Sequence, residues 1–386
     1  MRTRRTKSRG TWFAWAALLA CVLALPAAAR AAPPPVAAAF ERFWQAAQGR
    51  AFAQQLALWD GLVEAPYGDL YAMVVWERRE HPDWEARKRR LLQVRFAAYP
   101  SIAARIPAAA RTLQAVLAAQ VPRLRALFPD ADPQPPVELV LAPGFDAKSG
   151  VRADGTPVLA FAVDSLLLER APLDILVPHE LFHLYHAQHA GIRNDGVMPG
   201  ARLALPLFEE GLATYVSGQL APGHGDGELL LQDDLGRLPA ARLPEVARRF
   251  LADAGKPAVD PAHPEPFRRW FNAGAARYQP DLPNRSGYWL GLQVIRDLRR
   301  SYSLAQIAAW PPRQAEARTL AVLERMRQAA RAAPAARRNY RAPSRIAATG
   351  GTAAARSAGP STAPWPSSHS SAAPAGRYGG GSRGSS

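Results

Sequence analysis

The chain has 386 residues, 48% of them hydrophobic, with a formal net charge of +16, one cysteine and eight histidines. Residues 1–9 supply five positive charges, and residues 325–386 hold ten arginines with no lysine or acid, which leaves about +1 for everything between. A nearly neutral central part offers no basic face for phosphate and excludes nucleic acid as an expected partner.

The N-terminus carries Arg2, Arg4, Arg5, Lys7 and Arg9, then an apolar run from Thr11 to Leu25, then Pro26-Ala27-Ala28-Ala29-Arg30-Ala31-Ala32. This order is that of a secretory signal peptide, residues 1–31, with Ala-x-Ala cleavage options after Ala29 or Ala31. The apolar run is shorter than the roughly 20 residues a membrane span needs. The expected location is therefore periplasmic or extracellular. Cys21 follows Leu18-Leu19-Ala20, which resembles a lipoprotein cleavage box, but residues 22–25 stay apolar where a lipidated protein turns polar.

Pro33-Pro34-Pro35 reads as a stiff spacer. Residues 36–130 then read as a helical region, with Phe40, Phe43 and Trp44 at helical spacing and Leu113, Val116, Leu117, Val121, Leu124 and Leu127 repeating the pattern. These aromatics are expected to fill a core between helices. The reading changes at Pro133-Gln134-Pro135-Pro136. Residues 137–141 and 156–164 have the composition of strands, separated by a loop with Gly144, Gly150 and Gly155. If the second strand is an edge, it can hold an extended peptide by strand addition.

Pro172 and Asp174 open a helix expected to end near Ala190-Gly191, with Pro178 either delaying its start or kinking it. On it lies His179-Glu180-Leu181-Phe182-His183-Leu184-Tyr185-His186-Ala187-Gln188-His189, which contains H-E-x-x-H. Helix positions i and i+4 share a face, so His179 and His183 can point ring nitrogens at one zinc ion. Glu180 projects about 100° away. There a carboxylate can take a proton from a water polarised by the ion, the arrangement of a metal-assisted hydrolase.

A turn-rich loop over 192–200 leads to a second helix through Leu205-Pro206-Leu207-Phe208-Glu209-Glu210-Gly211-Leu212-Ala213-Thr214-Tyr215. Residues 221–228 read as a mobile glycine-rich surface loop containing His224 and Asp226. Helices are expected again over 244–254, 286–300, 303–310 behind a Ser303 cap, and 313–331. Residues 341–386, rich in Ala, Gly, Ser, Pro and Arg, are expected to be a disordered tail. Its charge suits weak association with anionic envelope polymers or lipid.

Zinc takes a third protein ligand and leaves a fourth place to water in catalytic sites, and two candidates exist, Glu210 and His189. His179-Glu180-x-x-His183 with Glu210-Gly211-Leu212-Ala213-x-Tyr215 resembles the gluzincin metallopeptidases, the group of thermolysin and the aminopeptidase N family. In the aminopeptidase branch the ligand glutamate precedes Gly in Asn-Glu-Gly-Phe-Ala. Glu210 matches that ligand, and Glu209 stands in the place of the Asn. Gly287-Tyr288-Trp289-Leu290-Gly291 is similar to the Tyr-x-Lys-Gly of those relatives, with Leu290 in place of the lysine. The resemblance implies an α+β, mostly helical, zincin-like domain over 131–331 with a small sheet beside the metal helix. It also implies Zn2+ on His179, His183 and Glu210, Glu180 as general base, Tyr288 as oxyanion donor, and a peptide or protein substrate.

The alternative is the metzincin pattern, H-E-x-x-H-x-x-G-x-x-H, with His189 as third ligand and Met198 as a Met-turn. It requires the helix to break at His186, where metzincins carry glycine. In an unbroken helix His189 lies about 120° off the ligand face. With Glu210 as ligand, His186 is expected to line the cleft or stand in solvent. A third reading is a non-catalytic zinc-binding or peptide-binding module of the cell envelope.

Overall fold

Residues 36 to 47 begin directly behind a proline, whose fixed φ starts a helix without cost, and they place apolar side chains at helical spacing. In the computed structural model, which describes residues 35–191, 200–260, 262–272 and 274–338, this is helix α1 (Val36–Ala47), with Val36, Ala39, Phe40, Phe43 and Ala47 buried. Helix α2 (Phe52–Trp59) runs into a π-turn at Asp60–Glu64, and a second π-turn follows at Tyr71–Val75. Helices α3 (Trp84–Ile102) and α4 (Ile106–Leu127) complete this region. Phe40, Phe43, Trp59, Phe96 and Tyr99 pack ring against ring at centroid distances of 5.1 to 6.5 Å, so the aromatics make a core. The signal-peptide residues 1–31 with Cys21, the Met198 position and the tail 341–386 lie outside the described residues.

Three strands follow: β1 (Val137–Val140), β2 (Ala147–Val151) and β3 (Pro157–Ala162). Their order is β1-β3-β2, with β1 parallel and β2 antiparallel to β3. Strand β3 is therefore central, so the condition for strand addition there, that it be an edge, is not met. The reason is β2, which sequence reading took for a loop. Its Gly150 looks like a turn residue, yet it is there for space: a Cβ at Gly150 would lie 2.8 Å from the Val74 side chain. Glycine inside a strand often marks such a close approach. Residues 163 and 164, read as strand, instead open helix α5 (Val163–Glu169). There the buried Asp164 accepts from the Ala142 N–H at 2.8 Å and from the Tyr99 hydroxyl at 3.0 Å, and pairs with Arg95 at 3.2 Å.

Helix α6 (Leu173–His189) is one continuous helix. Pro178 neither delays its start nor ends it; it removes one N–H from the ladder while Ile175 and Leu176 already bond to the Pro172 carbonyl. Twelve of its residues, 175–182 and 184–187, are buried, which makes it the central helix. Helix α7 (Ala204–Leu220) packs on it. After α7 come the short helices α8 (Asp226–Leu229) and α9 (Asp233–Gly236), then α10 (Leu243–Asp253), α11 (Glu265–Phe271), α12 (Ser286–Leu298), α13 (Leu304–Ala308) and α14 (Pro312–Arg338). Ser303 caps α13 by accepting from the Gln306 N–H at 3.1 Å. The segment expected as a mobile loop is partly helical and anchored, because the Asp226 carboxylate takes two bonds from Arg296, at 2.6 and 2.7 Å. One contiguous core runs from Val36 to Leu323, shared by the segments 36–130 and 131–331. Among the described residues no helix is long and apolar enough to cross a membrane.

The tightest helix contact is between α7 and α12. A Cβ at Gly211 would lie 2.3 Å from the Gly291 carbonyl carbon, and one at Gly291 would lie 2.4 Å from the Leu207 carbonyl oxygen. Backbone on both sides leaves nothing flexible to yield. Gly291→Ala is therefore expected to cost at least the ~1–3 kcal/mol typical of overpacking, read as a lower urea midpoint; an unchanged midpoint contradicts this packing. A separate prediction concerns pH. Burial and the nearby Asp146 carboxylate push the Glu169 carboxyl up from 4.5 to about 8. Its contribution to stability is full below pH 4.5 and is lost as pH rises through about 8. Glu169→Gln is expected to flatten the loss of melting temperature across that window, and an unaltered slope contradicts the assignment.

Candidate metal centre

His179 and His183 stand one turn apart on α6, their rings 4.7 Å apart and inclined at 76°. Their Nε2 atoms are 3.0 Å from each other. The close crossing of α7 over α6 brings Glu210 to the same point, with Oε2 at 3.3 Å from His179 Nε2 and 3.4 Å from His183 Nε2. The ligand atoms of all three side chains lie within 4.8 Å of one another, so the group can hold a metal ion. The His179 side chain is 4% exposed, Glu210 15% and His183 22%, so the centre is approached from the His183 side.

The electrostatics follow from burial and this convergence. Burial pushes the His179 imidazole down. Burial acts the same way on His183, but the Glu210 carboxylate beside it, helped by Glu180 and Glu209, lifts it to about 9. Burial works to raise the Glu210 carboxyl, yet the two imidazoles hold it well below the usual carboxylate range. Glu209, the next residue, is pushed up to about 7, chiefly by burial and further by the Glu210 charge.

Glu180 is buried on α6 directly after His179, and its charge acts on both metal-site imidazoles and on Tyr288. Tyr288 is buried in the first turn of α12, three residues before the Gly291 that meets Gly211. That glycine contact places Tyr288 and Glu210 at one helix crossing. Burial raises the Tyr288 phenol far above its ordinary value, and the Glu210 charge adds to the shift.

His189 takes no part in the cluster. Helix α6 runs through His186 without a break, and His189 ends against Asp130, with Nε2 2.7 Å from Oδ2 and its ring stacked on Tyr185 at 4.1 Å. The metzincin ligand set is thereby corrected. His186 neither lines the cleft nor stands in solvent: it is 2% exposed, stacked on Phe182 at 5.3 Å and tilted against Phe208 at 5.9 Å. Burial and the neighbouring histidines push it down to about 3, so it is a neutral core side chain.

One residue at the site carried no sequence signal. Arg285 caps α12, is 3% exposed, and sets its guanidinium carbon 4.1 Å from the centre of the Tyr288 ring. Its φ of +58° is a left-handed conformation that no motif announces.

The chain matches no family model, no curated protein and no solved structure.

The geometry predicts that dialysed protein retains about one equivalent of a divalent metal ion, a stoichiometry expected of a three-ligand site. Elemental analysis is expected to show this lost in Glu210→Ala and kept in His189→Ala. The reverse pattern contradicts the Glu210 assignment.

Proposed function

We propose that this chain is an exported zinc-dependent peptidase of gluzincin type with a zincin-like domain. One observation carries the reading. Donors about 2.0–2.1 Å from a tetrahedral zinc lie roughly 3.3 Å from each other, and the three donor separations here are 3.0, 3.3 and 3.4 Å. Two imidazoles and a carboxylate also suit zinc chemically. Among the described residues the group has three protein donors, which favours a catalytic centre over a closed structural one. The leader-like N-terminus supports export.

His179, His183 and Glu210 hold the ion. Zinc in such a centre supplies Lewis acidity, polarising a carbonyl and lowering the pKa of water. The rest is the work of the chain. Glu180 accepts the proton of the water that adds to the peptide carbonyl carbon, and delivers it to the amide nitrogen as the C–N bond breaks. Tyr288 donates a hydrogen bond to the carbonyl oxygen as negative charge gathers there. Its raised pKa keeps the phenol protonated, and so a donor, throughout the neutral range.

Glu180→Gln removes the base and leaves every proposed ligand in place. Hydrolysis of a fluorescence-quenched peptide library is expected to fall by about 10²–10⁴ while the zinc content stays constant. Turnover that survives this substitution removes Glu180 from the mechanism.

A further inference from the structure

The peptidase reading leaves Arg285 without a role, although its setting is costly. A buried cation requires close partners. A non-glycine residue in the left-handed region adds strain of about 1 kcal/mol or more, and such strain gathers at functional sites. Arg285 combines both, with 3% exposure and φ +58°, ψ 26°. The neighbourhood keeps it there. The preceding Asn284 is pinned by the Ala276 N–H at 2.7 Å, the following Ser286 is fully buried, and the Tyr288 N–H donates to the Arg285 carbonyl at 2.9 Å.

What the guanidinium reaches is Tyr288. The guanidinium carbon lies over the phenol ring, 4.1 Å from the centroid. Arginine has five N–H donors and no acceptor. Against the ring it therefore offers the phenol proton no acceptor, and that proton is turned toward some other group. The charges of Glu210 and Glu180 both act on this phenol, which puts the metal centre in its surroundings. A positive charge against the ring also favours the electron-rich phenol oxygen and makes its O–H a stronger donor.

We infer that Arg285 is a positioning residue. It holds the Tyr288 phenol as a hydrogen-bond donor aimed at the substrate carbonyl oxygen beside His179, His183 and Glu210. The inference rests on the peptidase reading. It goes beyond that reading by making the donor role of Tyr288 depend on a residue outside the H-E-x-x-H and Glu-Gly-Leu-Ala motifs.

The test uses full-length, zinc-loaded protein with four variants: Arg285→Gln, Arg285→Lys, Tyr288→Phe and the Arg285→Gln/Tyr288→Phe pair. The readouts are kcat and KM on a quenched peptide, and affinity for a phosphonamidate peptide that mimics the tetrahedral anion. Arg285→Gln is expected to lower kcat by up to the about 10²–10³-fold that loss of one oxyanion donor costs, with KM little changed. Arg285→Lys should restore part of the loss. Phosphonamidate affinity should fall with kcat. In the Tyr288→Phe background the same Gln substitution should cost less than about twofold, because neighbours acting as a unit are non-additive. Full kcat in Arg285→Gln, or an equal further loss in the Tyr288→Phe background, overturns the inference. Should Arg285→Gln fail to fold, full kcat in Tyr288→Phe overturns it as well. Wild-type protein that loads zinc but neither cleaves peptide nor binds phosphonamidate defeats the peptidase reading and this inference together. Wild-type cleavage with an unaffected Arg285→Gln defeats this inference alone.

Discussion

The contact on which the rest depends is backbone against backbone, Gly211 of α7 against Gly291 of α12. Any side chain at either position would separate the helices. Because Glu210 precedes one of these glycines and Tyr288 lies three residues before the other, their separation sets how far the carboxylate stands from the phenol. Helix α6 supplies the opposing wall, and its packing on α7 brings the carboxylate to two imidazoles already fixed a turn apart. A three-helix junction thus does what no single segment of this chain can do. The small sheet takes a lesser part, its central strand β3 packing beside α6.

Ionisable groups also meet at the junction, His179 and Glu180 among them buried. An isolated carboxylate buried there would neutralise itself. Glu210 escapes this because two rings face it, and the ion pair with His183 offsets the burial that would otherwise raise its carboxyl. Glu209, one position away but outside that embrace, shows the opposite outcome, with its carboxyl pushed up to about 7. Adjacent glutamates in one helix thus take different protonation tendencies from their surroundings alone. The same contrast separates His183 from His186: one faces carboxylates and is raised to about 9, the other faces phenylalanines and is lowered to about 3.

Much of this was legible in the sequence because it depends on helical spacing. His179 and His183 share a face by arithmetic, and Glu210 was a candidate from its motif. What spacing left open was the choice between Glu210 and His189, and the unbroken course of α6 past His186 answers it. Other features were hidden for physical reasons. Strand β2 reads as loop because its Gly150 serves a close approach by Val74, a tertiary demand invisible locally. The central place of β3 follows from that missed strand. His186 looked available to the cleft because its neighbours Phe182 and Phe208 come from two helices whose packing is not written in either. Arg285 gives no signal, since a left-handed backbone at arginine has no compositional signature. Gly211 and Gly291 stand in the sequence as motif positions, and the structure gives them a packing role.

The claim at the centre is that two imidazoles of α6 and one carboxylate of α7 surround a single cation. Anomalous diffraction at the zinc absorption edge, on crystals of protein loaded with one equivalent of zinc, addresses it directly. One strong peak is expected about 2.0–2.2 Å from His179 Nε2, His183 Nε2 and a Glu210 oxygen, with His189 still on Asp130. A peak that includes His189, or none between the two imidazoles, would contradict it.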